Sequence, residues 1–546
     1  MPGTYPPIGL ATNLRRHWVG GSASWDATAG SKWAYSSGAP GGAPVPTAAN
    51  DVYLDTGSGV VTVTRAGAGA CRTLDCTTFT GTFTGSGATT VSGSLTWGAS
   101  MTRAYSGALT FNATSGRNTI TSNGKGFSSV IFNGVGGYWL LIDAFSAPST
   151  ATTVTNGTFD TNGQTCTLNS LSKAAAASLV LGSSTITALS WTAITGAGTV
   201  SASNSSITIT GSTFNGGGYT WGALTVTGAS SPPTISGSNT FNGSFISTVT
   251  STVNFAANQI FNGSVSFAGT SQAARCLVTT SATNLAAITL TCNGSAPTLS
   301  NLDIQGITAT GTAGTWAGTN LSDLGGNSGI TFTTPVTRYF VGGGTVRAYN
   351  GNFWSQTSGG AVGATVPLNQ DTIVLDANSF GVSGGIDISG VRAGNLDFTN
   401  ATNNPTLASG GSGQNHTYYG NVILKAGMTM TGNVFGTFQG YGITQTLDMA
   451  GITYPGAFTI NIRNSGTLAL ASAITMGNRT IAVTQGNFNQ GTNNVSCGVL
   501  TFGGTLSRTW TKAANLTLTW NGVVLSLISA VTVVDTAGTI YFTDTT

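Results

Sequence analysis

Residues 207–210, Ile-Thr-Ile-Thr, and residues 224–227, Leu-Thr-Val-Thr, alternate strictly between apolar and polar side chains. Successive side chains of a β-strand point to opposite faces, so each segment would bury its aliphatic residues and expose its threonines. Between the two segments, Phe214-Asn215-Gly216 contains the Asn-Gly pair that favours tight turns with positive φ. This region therefore predicts short half-buried strands joined by turns.

The Phe-Asn-Gly motif recurs along the chain, at Phe132, Phe214, Phe241 and Phe261, and the last three copies have spacings of 27 (241 minus 214) and 20 (261 minus 241). Periods near 20 favour a solenoid, in which each coil buries a few apolar side chains against its neighbours. The sequence thus predicts an all-β protein with parallel β-helix-like solenoid stretches. A string of β-sandwich domains shares the strand length and turn chemistry and is the alternative architecture.

The composition supports strands and argues against both helices and disorder. Of 546 residues, 79 are Gly and only 33 are charged, and all 15 acidic residues are Asp. Glu is a good helix former, whereas the abundant Thr and Val suit strands. Disordered chains lack aromatic and β-branched residues, but this chain has 24 Phe, 13 Tyr and 11 Trp. Many thin apolar layers are therefore expected.

An internal duplication organises the chain. The segment 16–21 (RHWVGG) is repeated as 338–343 (RYFVGG), and residues 33–55 align without a gap with residues 354–376 at an offset of 321 (354 minus 33, and 376 minus 55). Each copy precedes a long stretch of short β-like segments. The predicted organisation is an N-terminal arm (1–13), a Trp-rich module (14–62), a first solenoid stretch (63–333), a second copy of the module (334–380) and a second solenoid stretch (381–546).

The aromatic residues of the two modules are the candidate contact residues. Aromatic clusters can bind sugar faces or partner proteins. They can also form a small core that caps a solenoid, whose open end would otherwise expose strand edges, and the position of each copy before a β-rich stretch favours a cap. The candidate ligand or partner contacts are Trp18, Trp25, Trp33, Tyr35, Tyr339, Phe340 and Trp354.

Candidate catalytic carboxylates are few. Asp51 and Asp55 would share one face of a strand but lie about 13 Å apart, beyond the spacing that glycoside cleavage uses. Asp371 and Asp376 would face opposite sides. These pairs do not predict a catalytic site.

Two further arrangements could supply catalytic groups. Asp303 and Asp323 have a spacing of 20 (323 minus 303) and would meet if they were in register on adjacent coils, although capping of turns explains these aspartates without a substrate. Neither His17 nor His416 lies in a nucleophile elbow. The sequence thus predicts a protein that is not an enzyme, with no catalytic residues, no metal site and no cofactor.

Charge and cysteine content exclude other classes. A formal net charge of +3 with scattered basic residues does not predict a nucleic-acid groove. Six dispersed cysteines are too few for a disulfide scaffold, so most are expected to be buried thiols. The sequence shows neither a run of about 18 apolar residues nor an apolar N-terminal signal. No membrane insertion is expected.

The module pattern, Arg16 to Gly21 with Trp25, Trp33 and residues 45–55, resembles modules in β-rich surface proteins of tailed bacteriophages, of the tail fibre, spike or head-decoration type. The resemblance implies a structural role on the virion surface and contacts with other virion proteins. It also implies association into trimers or arrays, the trimer being the expected form, and a host-surface polysaccharide or protein as partner. It implies assembly in the host cytoplasm and release by lysis.

Two other functions stay open from the sequence. A secreted bacterial adhesin would carry an N-terminal signal and a C-terminal anchor. A polysaccharide-depolymerising tailspike would need a groove with at least two aspartates within catalytic range.

Overall fold

The regular secondary structure of the described residues is almost entirely β-strand. The structure, a computed structural model, describes residues 14–25, 30–228, 231–281, 287–342, 345–348, 350–382, 384–388, 392–409, 416–432, 434–504, 506–519, 525–527 and 530–543. In these residues the only helices are three short 3₁₀ turns, Gly30–Lys32, Thr56–Ser58 and Gly351–Phe353. Stacked parallel strands form a β-solenoid of about 22 turns, which confirms the predicted fold class. The predicted N-terminal arm lies outside the described residues.

The chain divides into two compact units, residues 1–246 with 259–264, and residues 247–258 with 265–546. The strands of the first unit are Arg15–Trp18, Ala23–Ser24, Trp33–Ala34, Asp51–Tyr53, Thr62–Thr64, Gly69–Cys71, Thr73–Asp75, Thr82–Gly85, Thr89–Val91, Leu95–Thr96, Thr102–Tyr105, Ala108–Phe111, Arg117–Thr121, Ser129–Leu141, Phe145–Asp160, Cys166–Lys173, Ser178–Val180, Thr185–Ala193, Val200–Asn215, Thr220–Val226, Thr234–Ser236, Thr240–Phe241, Phe245–Ser247 (its last residue assigned to the second unit) and Gln259–Phe261.

The segments that first indicated the fold are adjacent coils of the first unit. Ile207 pairs with Leu224 and Ile209 with Val226 in a parallel ladder, and all four side chains are buried. The threonines between them point outward and are only partly covered. The alternation of the sequence is therefore the inside and outside of one coil face.

The Phe-Asn-Gly motif marks coils less regularly than its spacing suggests. Phe241 and Phe261 are in register on adjacent coils, and their rings stack with centroids 5.6 Å apart. Phe214 pairs instead with Ile235 in a different stack. The longer interval, from Phe214 to Phe241, thus joins two faces of the solenoid and is not a coil length.

The second unit contains the remaining strands, which are Thr252–Phe255, Val265–Ala268, Cys276–Thr280, Ile288–Cys292, Thr298–Gln305, Ile307–Thr310, Trp316–Asp323, Ile330–Thr331, Thr337–Phe340, Thr345–Arg347, Trp354–Ser355, Thr372–Val374, Gly385–Asp387, Arg392–Ala393, Leu396–Asp397, Thr406–Ala408, Thr417–Tyr418, Val422–Ile423, Thr429–Thr431, Thr437–Phe438, Thr444–Asp448, Phe458–Asn461, Thr467–Leu470, Ile474–Thr475, Thr480–Gln485, Asn487–Gly491, Val495–Cys497, Val499–Phe502, Arg508–Lys512, Leu516–Thr519, Leu525–Leu527, Val531–Asp535 and Ile540–Thr543. It therefore includes the last coils of the first predicted stretch, the second module and the second stretch.

The core of the second stretch is a column of side chains repeated at each coil. In one stack the successive inward positions are Tyr418, Phe438, Ile460, Val483 and Phe502, each in register with the next. All five are buried. Because each coil contacts mainly its neighbours, stability grows by stacking and no single large core is needed.

The two modules have the same pattern of strand pairing. In the first, strand Arg15–Trp18 pairs antiparallel with Trp33–Ala34 and parallel with Asp51–Tyr53. In the second, Thr337–Phe340 pairs antiparallel with Trp354–Ser355 and parallel with Thr372–Val374. Each module thus supplies a strand to the edge of the first coil that follows it.

The second module also covers the end of the stretch before it. The side chain of Gln370 donates to the Leu321 carbonyl (2.9 Å) and accepts from the Asp323 N–H (3.0 Å). Asn369 donates from its side-chain amide to the Asp323 carbonyl (2.7 Å) and from its backbone N–H to Ser322 Oγ (2.9 Å). These two residues therefore satisfy backbone groups at the strand edge to which a further coil would otherwise bond.

Within the second unit, the last coils of the first stretch also contact the second stretch through a polar cluster, here called the seam. The seam consists of three arginines, one threonine and one aspartate (Arg275, Thr279, Asp303, Arg392 and Arg463). Asp303 is buried and accepts from Arg275 Nε (2.6 Å) and Arg392 Nη1 (3.0 Å). Arg463 Nη1 donates to Thr279 Oγ1 (2.8 Å). Burial raises the pKa of Asp303, but the charges and hydrogen bonds of Arg275 and Arg392 outweigh it, and the pKa lies below its ordinary value.

All six cysteines are buried free thiols, as expected. Burial raises the pKa of Cys71, Cys166, Cys276 and Cys497 to about 12.

Candidate binding groove

An open polar groove of about 420 Å³ lies on the outer face of the first coils. Its platform is a ladder of four strands whose inward residues Val52, Leu74, Leu95 and Ile120 are buried and in register. Alternation then directs the residues on either side of each buried position outward. The groove is lined by Asp51, Tyr53, Arg72, Thr73, Leu74, Asp75, Ser92, Gly93, Ser94, Thr96 and Asn118.

One end of the groove holds a fixed ion pair. Arg72 binds both carboxylate oxygens of Asp51, with Nε 2.7 Å from Oδ1, and Thr73 Oγ1 donates to the same Oδ1 (2.8 Å). Burial raises the pKa of Asp51, but the bonds from Arg72 and Thr73 and the charge of Arg72 bring it below its ordinary value. Asp51 is therefore ionised and accepts hydrogen bonds at neutral pH.

Tyr53 connects the groove to the first module. Its ring stacks on the His17 ring with centroids 4.7 Å apart and planes 11° from parallel. His17 Nδ1 lies 2.7 Å from Asp55 Oδ2, and Asp55 Oδ1 accepts from Ser37 Oγ (2.9 Å) and the Gly57 N–H (2.9 Å). The module thereby fixes the orientation of the groove's aromatic residue.

Of the seven predicted contact residues, five are core side chains, because Trp18, Trp25, Trp33, Phe340 and Trp354 are each at most 1% exposed. The Trp33 ring lies edge-on to Trp18 and Trp25, with centroids 5.0 and 4.9 Å away. Their predicted contact role is corrected to a packing role, since buried rings offer no face to a ligand.

The other two predicted contacts remain accessible. Tyr35 is 47% exposed and its ring lies 5.1 Å from the Arg16 guanidinium, and Tyr339 is half-buried. Contact with a ligand stays a prediction for these two residues.

The described aspartates have structural partners. At seven of them the carboxylate accepts from the backbone N–H two residues later, the turn cap that the sequence suggested: Asp55, Asp75, Asp160, Asp323, Asp376, Asp397 and Asp448. Asp371 accepts from the N–H groups of Val336 and Leu368.

The proposed meeting of Asp303 and Asp323 is wrong. Asp303 pairs in register with Ser322, and Asp323 with Ile304. The register is shifted by one residue, so the two carboxylates point to opposite faces.

His416 is buried by its coil neighbours. Its Nδ1 donates to the Ile388 carbonyl (2.8 Å) and its Nε2 lies 2.7 Å from Ser409 Oγ. Burial lowers the pKa of His416. The imidazole therefore bridges the Ile388 carbonyl and the Ser409 hydroxyl by hydrogen bonds.

Within the part of the chain that the structure describes, no three His, Cys or Asp side chains converge as metal ligands. No helix among the described residues has the length and apolarity needed to cross a membrane. Comparison of the chain with family models, curated proteins and solved structures gave no match.

Sequence reasoning missed the groove. The sequence feature that could have predicted the groove is the recurrence of polar residues, one coil length apart, at positions that point outward. Asp51 is in register with Thr73 on the neighbouring coil, and Tyr53 with Asp75. Along the chain, the nearest carboxylate to Asp51 in sequence is that of Asp55, which does not line the groove. The relevant neighbours lie across the coils.

Proposed function

We propose that the protein is a non-enzymatic structural component of an exposed biological surface, of the fibre or decoration type found on tailed bacteriophages, and that it contacts the host surface through the groove. The proposal includes location on the virion, assembly in the host cytoplasm and contact with other virion proteins. It rests on the module resemblance and on the architecture described above.

The observation that carries the proposal is the use of the charged residues. In the described chain, aspartates accept hydrogen bonds from backbone N–H groups or pair with Arg, Lys or His, and the remaining outward faces are rich in Thr, Ser and Asn. The charged groups of this molecule therefore hold its backbone in place. A rigid, hydroxyl-rich solenoid suits a mechanical and adhesive role.

The groove supports a neutral glycan as the host partner. Asp51 and Arg72 form a pair of opposite charges and Asp75 adds a second carboxylate, so the groove has no excess positive charge that would favour an acidic glycan. Thr73, Ser94 and Asn118 add hydroxyl and amide groups. Planar carboxylate, guanidinium and amide groups match the donors and acceptors of sugar hydroxyls, and Tyr53 contributes an aromatic ring.

Binding of neutral oligosaccharides tests this assignment, by calorimetry or by NMR line broadening of the sugar. Wild-type protein is expected to bind, and Tyr53→Ala and Arg72→Ala are expected to weaken binding at least tenfold. The matched control is Val374→Ala, which occupies the equivalent strand position in the second module. Equal affinity in all variants would remove the groove from the proposal.

Placement on a virion has its own test. Electron micrographs of virions labelled with antibody to this chain should show label on the particle surface. Absence of label from intact particles that contain the chain would contradict an exposed position.

A polysaccharide depolymerase is the second candidate, favoured by one observation: Asp51 and Asp75 line the same groove. The lowered pKa of Asp51 argues against it as a general acid, which needs a raised pKa. A reducing-sugar assay on host capsule decides between the two functions. Release of sugar that is abolished in both Asp51→Asn and Asp75→Asn would replace the structural assignment.

A further inference from the structure

A second open groove, here called the distal groove, has a volume of about 270 Å³. Gly136, Gly137 and Gly157 contribute no side chain to its wall, whereas Tyr138 and Thr158 contribute a phenol and a hydroxyl. All of its lining residues belong to the first unit, as do those of the groove described above. The distal groove is a separate depression, and the proposed function assigns it no role.

The two grooves lie on one continuous parallel ladder. Its buried positions Val52, Leu74, Leu95, Ile120 and Leu141 are in register on five successive coils. Neighbouring strands of a ladder are about 4.8 Å apart, so the four steps between these five strands extend about 19 Å along the solenoid. The strands of the groove and the strand of Leu141 therefore form the same face.

Tyr138 is an outward residue of this face. It is in register with Arg117 on the preceding coil and with Thr158 on the following coil. Because the next residue, Trp139, is buried, alternation directs Tyr138 outward. Asn118, which lines the groove, donates from Nδ2 to the Tyr138 carbonyl (3.3 Å). One hydrogen bond thus joins a residue of the groove to a residue of the distal groove.

The phenol of Tyr138 is held by a charged pair. Its hydroxyl donates to Asp160 Oδ2, and the Arg117 guanidinium lies 5.2 Å from the centre of its ring. Arg117 Nη2 is 3.8 Å from the same carboxylate oxygen, and its side chain is 63% exposed, so the arginine reaches solvent beside the ring. Burial and the hydrogen bond to Asp160 raise the pKa of Tyr138 to about 12, which keeps the phenol neutral at physiological pH.

The groove contains the same three kinds of group, because Tyr53 accompanies the ion pair of Asp51 and Arg72 there. In both places a carboxylate and a guanidinium of opposite charge lie beside an aromatic ring. Carboxylate and guanidinium groups match the donors and acceptors of sugar hydroxyls, and an aromatic ring offers an apolar surface to a sugar ring. The two grooves therefore present similar chemistry to a ligand, four coils apart.

The ladder and its charges restrict the kind of ligand. Residues 138–140 pair with residues 117–119 and with residues 158–160, so this part of the strand has no free edge to which a peptide could add as a further strand. The described residues that line the distal groove include no Lys or Arg, and Arg117 beside it is paired with Asp160. No excess positive charge is therefore present there to neutralise the phosphates of a nucleic acid. These features favour a neutral chain of sugars.

We propose that the distal groove is a second binding site for the glycan of the groove, with Tyr138 as its aromatic contact, and that the ligand is an unbranched neutral polysaccharide that follows the ladder across both grooves. The inference rests on the proposed function and adds to it the length of the ligand and a second contact.

The two sites would act together only on a long chain. The groove, which is the larger of the two, is the site that holds a disaccharide, and a ligand shorter than the interval of about 19 Å reaches only one groove. A longer chain that is held in the groove meets the distal groove at a high effective concentration, which raises its affinity without any change in the first site.

The test compares short and long forms of the same sugars. A panel of neutral unbranched oligosaccharides, each as the disaccharide and as the longest soluble chain, is titrated into the full-length protein by calorimetry. Wild-type protein is expected to bind the long form at least about 10-fold more tightly than the disaccharide. Tyr138→Ala and Arg117→Ala should lose this gain and keep the affinity for the disaccharide, whereas Tyr53→Ala should weaken binding of both forms.

Controls separate the contact from the fold. Tyr138→Phe keeps the ring and should retain most of the gain. Tyr541→Ala removes an exposed tyrosine of the second unit and should bind both forms like wild type. Limited proteolysis checks that the coils of Tyr138→Ala remain stacked, and Arg117→Ala, at an exposed side chain, provides the same test if they do not.

The outcomes distinguish this inference from the proposed function. Absence of binding to either form would contradict the proposed function and this inference with it. Binding of the disaccharide with no gain for the long chain would overturn this inference alone and leave the groove as a site for short glycans. A gain that persists in both Tyr138→Ala and Arg117→Ala would mean that the long chain contacts another surface, and it would remove the distal groove.

Discussion

The two copies of the Trp-rich module keep the same frame. Arg16 Nε donates to the Pro44 carbonyl (3.1 Å) in the first, and Arg338 Nε donates to the Thr365 carbonyl (3.1 Å) in the second. In each, a carboxylate at the end of the first coil strand (Asp55 or Asp376) caps the following turn. These contacts are local to the module and depend little on what lies outside it.

The contacts that the module makes with the neighbouring coils differ between the two copies. In the first, His17 stacks on Tyr53 beside the groove, whereas the corresponding pair in the second copy is Tyr339 and Val374. In the second, Gln370 bonds the preceding coil. A cap that keeps a few internal bonds is thus free to change its outward residues, and it can carry a groove in one place and close a solenoid end in another.

The largest expected effect compares a buried ion cluster with an exposed one. Asp303→Asn removes the carboxylate between Arg275 and Arg392 and should lower the free energy of unfolding of the second unit by about 3–5 kcal/mol. Asp51→Asn, whose partner Arg72 is 44% exposed as a side chain, should cost about 1 kcal/mol or less. Denaturant unfolding measures both. Equal losses would mean that the seam adds no more than a surface pair.

The pH dependence sharpens the same contrast. The folded pKa of Asp303 lies below its ordinary value of 3.8, so its contribution to stability is fully present above that value and is lost as the pH falls through the folded pKa. The stability difference between wild type and Asp303→Asn should therefore shrink below pH 3.8. A difference that stays constant on acidification would contradict the ionised cluster.

Next in size is the amide loop of the second module. Gln370→Ala leaves the Asp323 N–H and the Leu321 carbonyl without this partner and should cost about 1–3 kcal/mol. Hydrogen exchange of the Asp323 amide should accelerate accordingly. Ala48→Asn, at the exposed loop of the first module, is the control and should change stability by no more than about 0.5 kcal/mol. Unchanged exchange at Asp323 would show that the loop does not close this edge.

The smallest expected effect concerns the cap indoles. Trp354 Nε1 donates to the Ala348 carbonyl (2.8 Å), whereas among the described residues Trp33 Nε1 has no hydrogen-bond partner. Trp354→Phe should therefore destabilise by about 1 kcal/mol more than Trp33→Phe. Thermal unfolding compares the two variants, and the reverse order would contradict this assignment of the indole bonds.

Much of the fold could be predicted from the sequence because alternation is a local property. Residues 207–210 and 224–227 show their inward and outward faces without knowledge of the rest of the chain. The duplicated modules were visible because their shared residues, such as Trp33 and Trp354, occupy the same place in the cap core.

The groove and the seam could not be predicted because both depend on register between coils. One residue of register shift separates Asp303 from Asp323, and alternation along one strand does not fix the register between strands. The spacing between the Phe-Asn-Gly motifs at Phe214 and Phe241 also does not give the coil length, because the motif occurs on more than one face of the solenoid. Aromatic content alone does not distinguish a core indole from a binding surface.

The burial of the cysteines has a consequence for the environments that the protein can enter. A thiol reacts through its thiolate, and with a pKa of about 12 Cys71, Cys166, Cys276 and Cys497 carry almost none at neutral pH. Oxidation of these four thiols in the folded chain should therefore be slow. All six cysteines are free, so the coils contain no disulfide that a reducing environment would break.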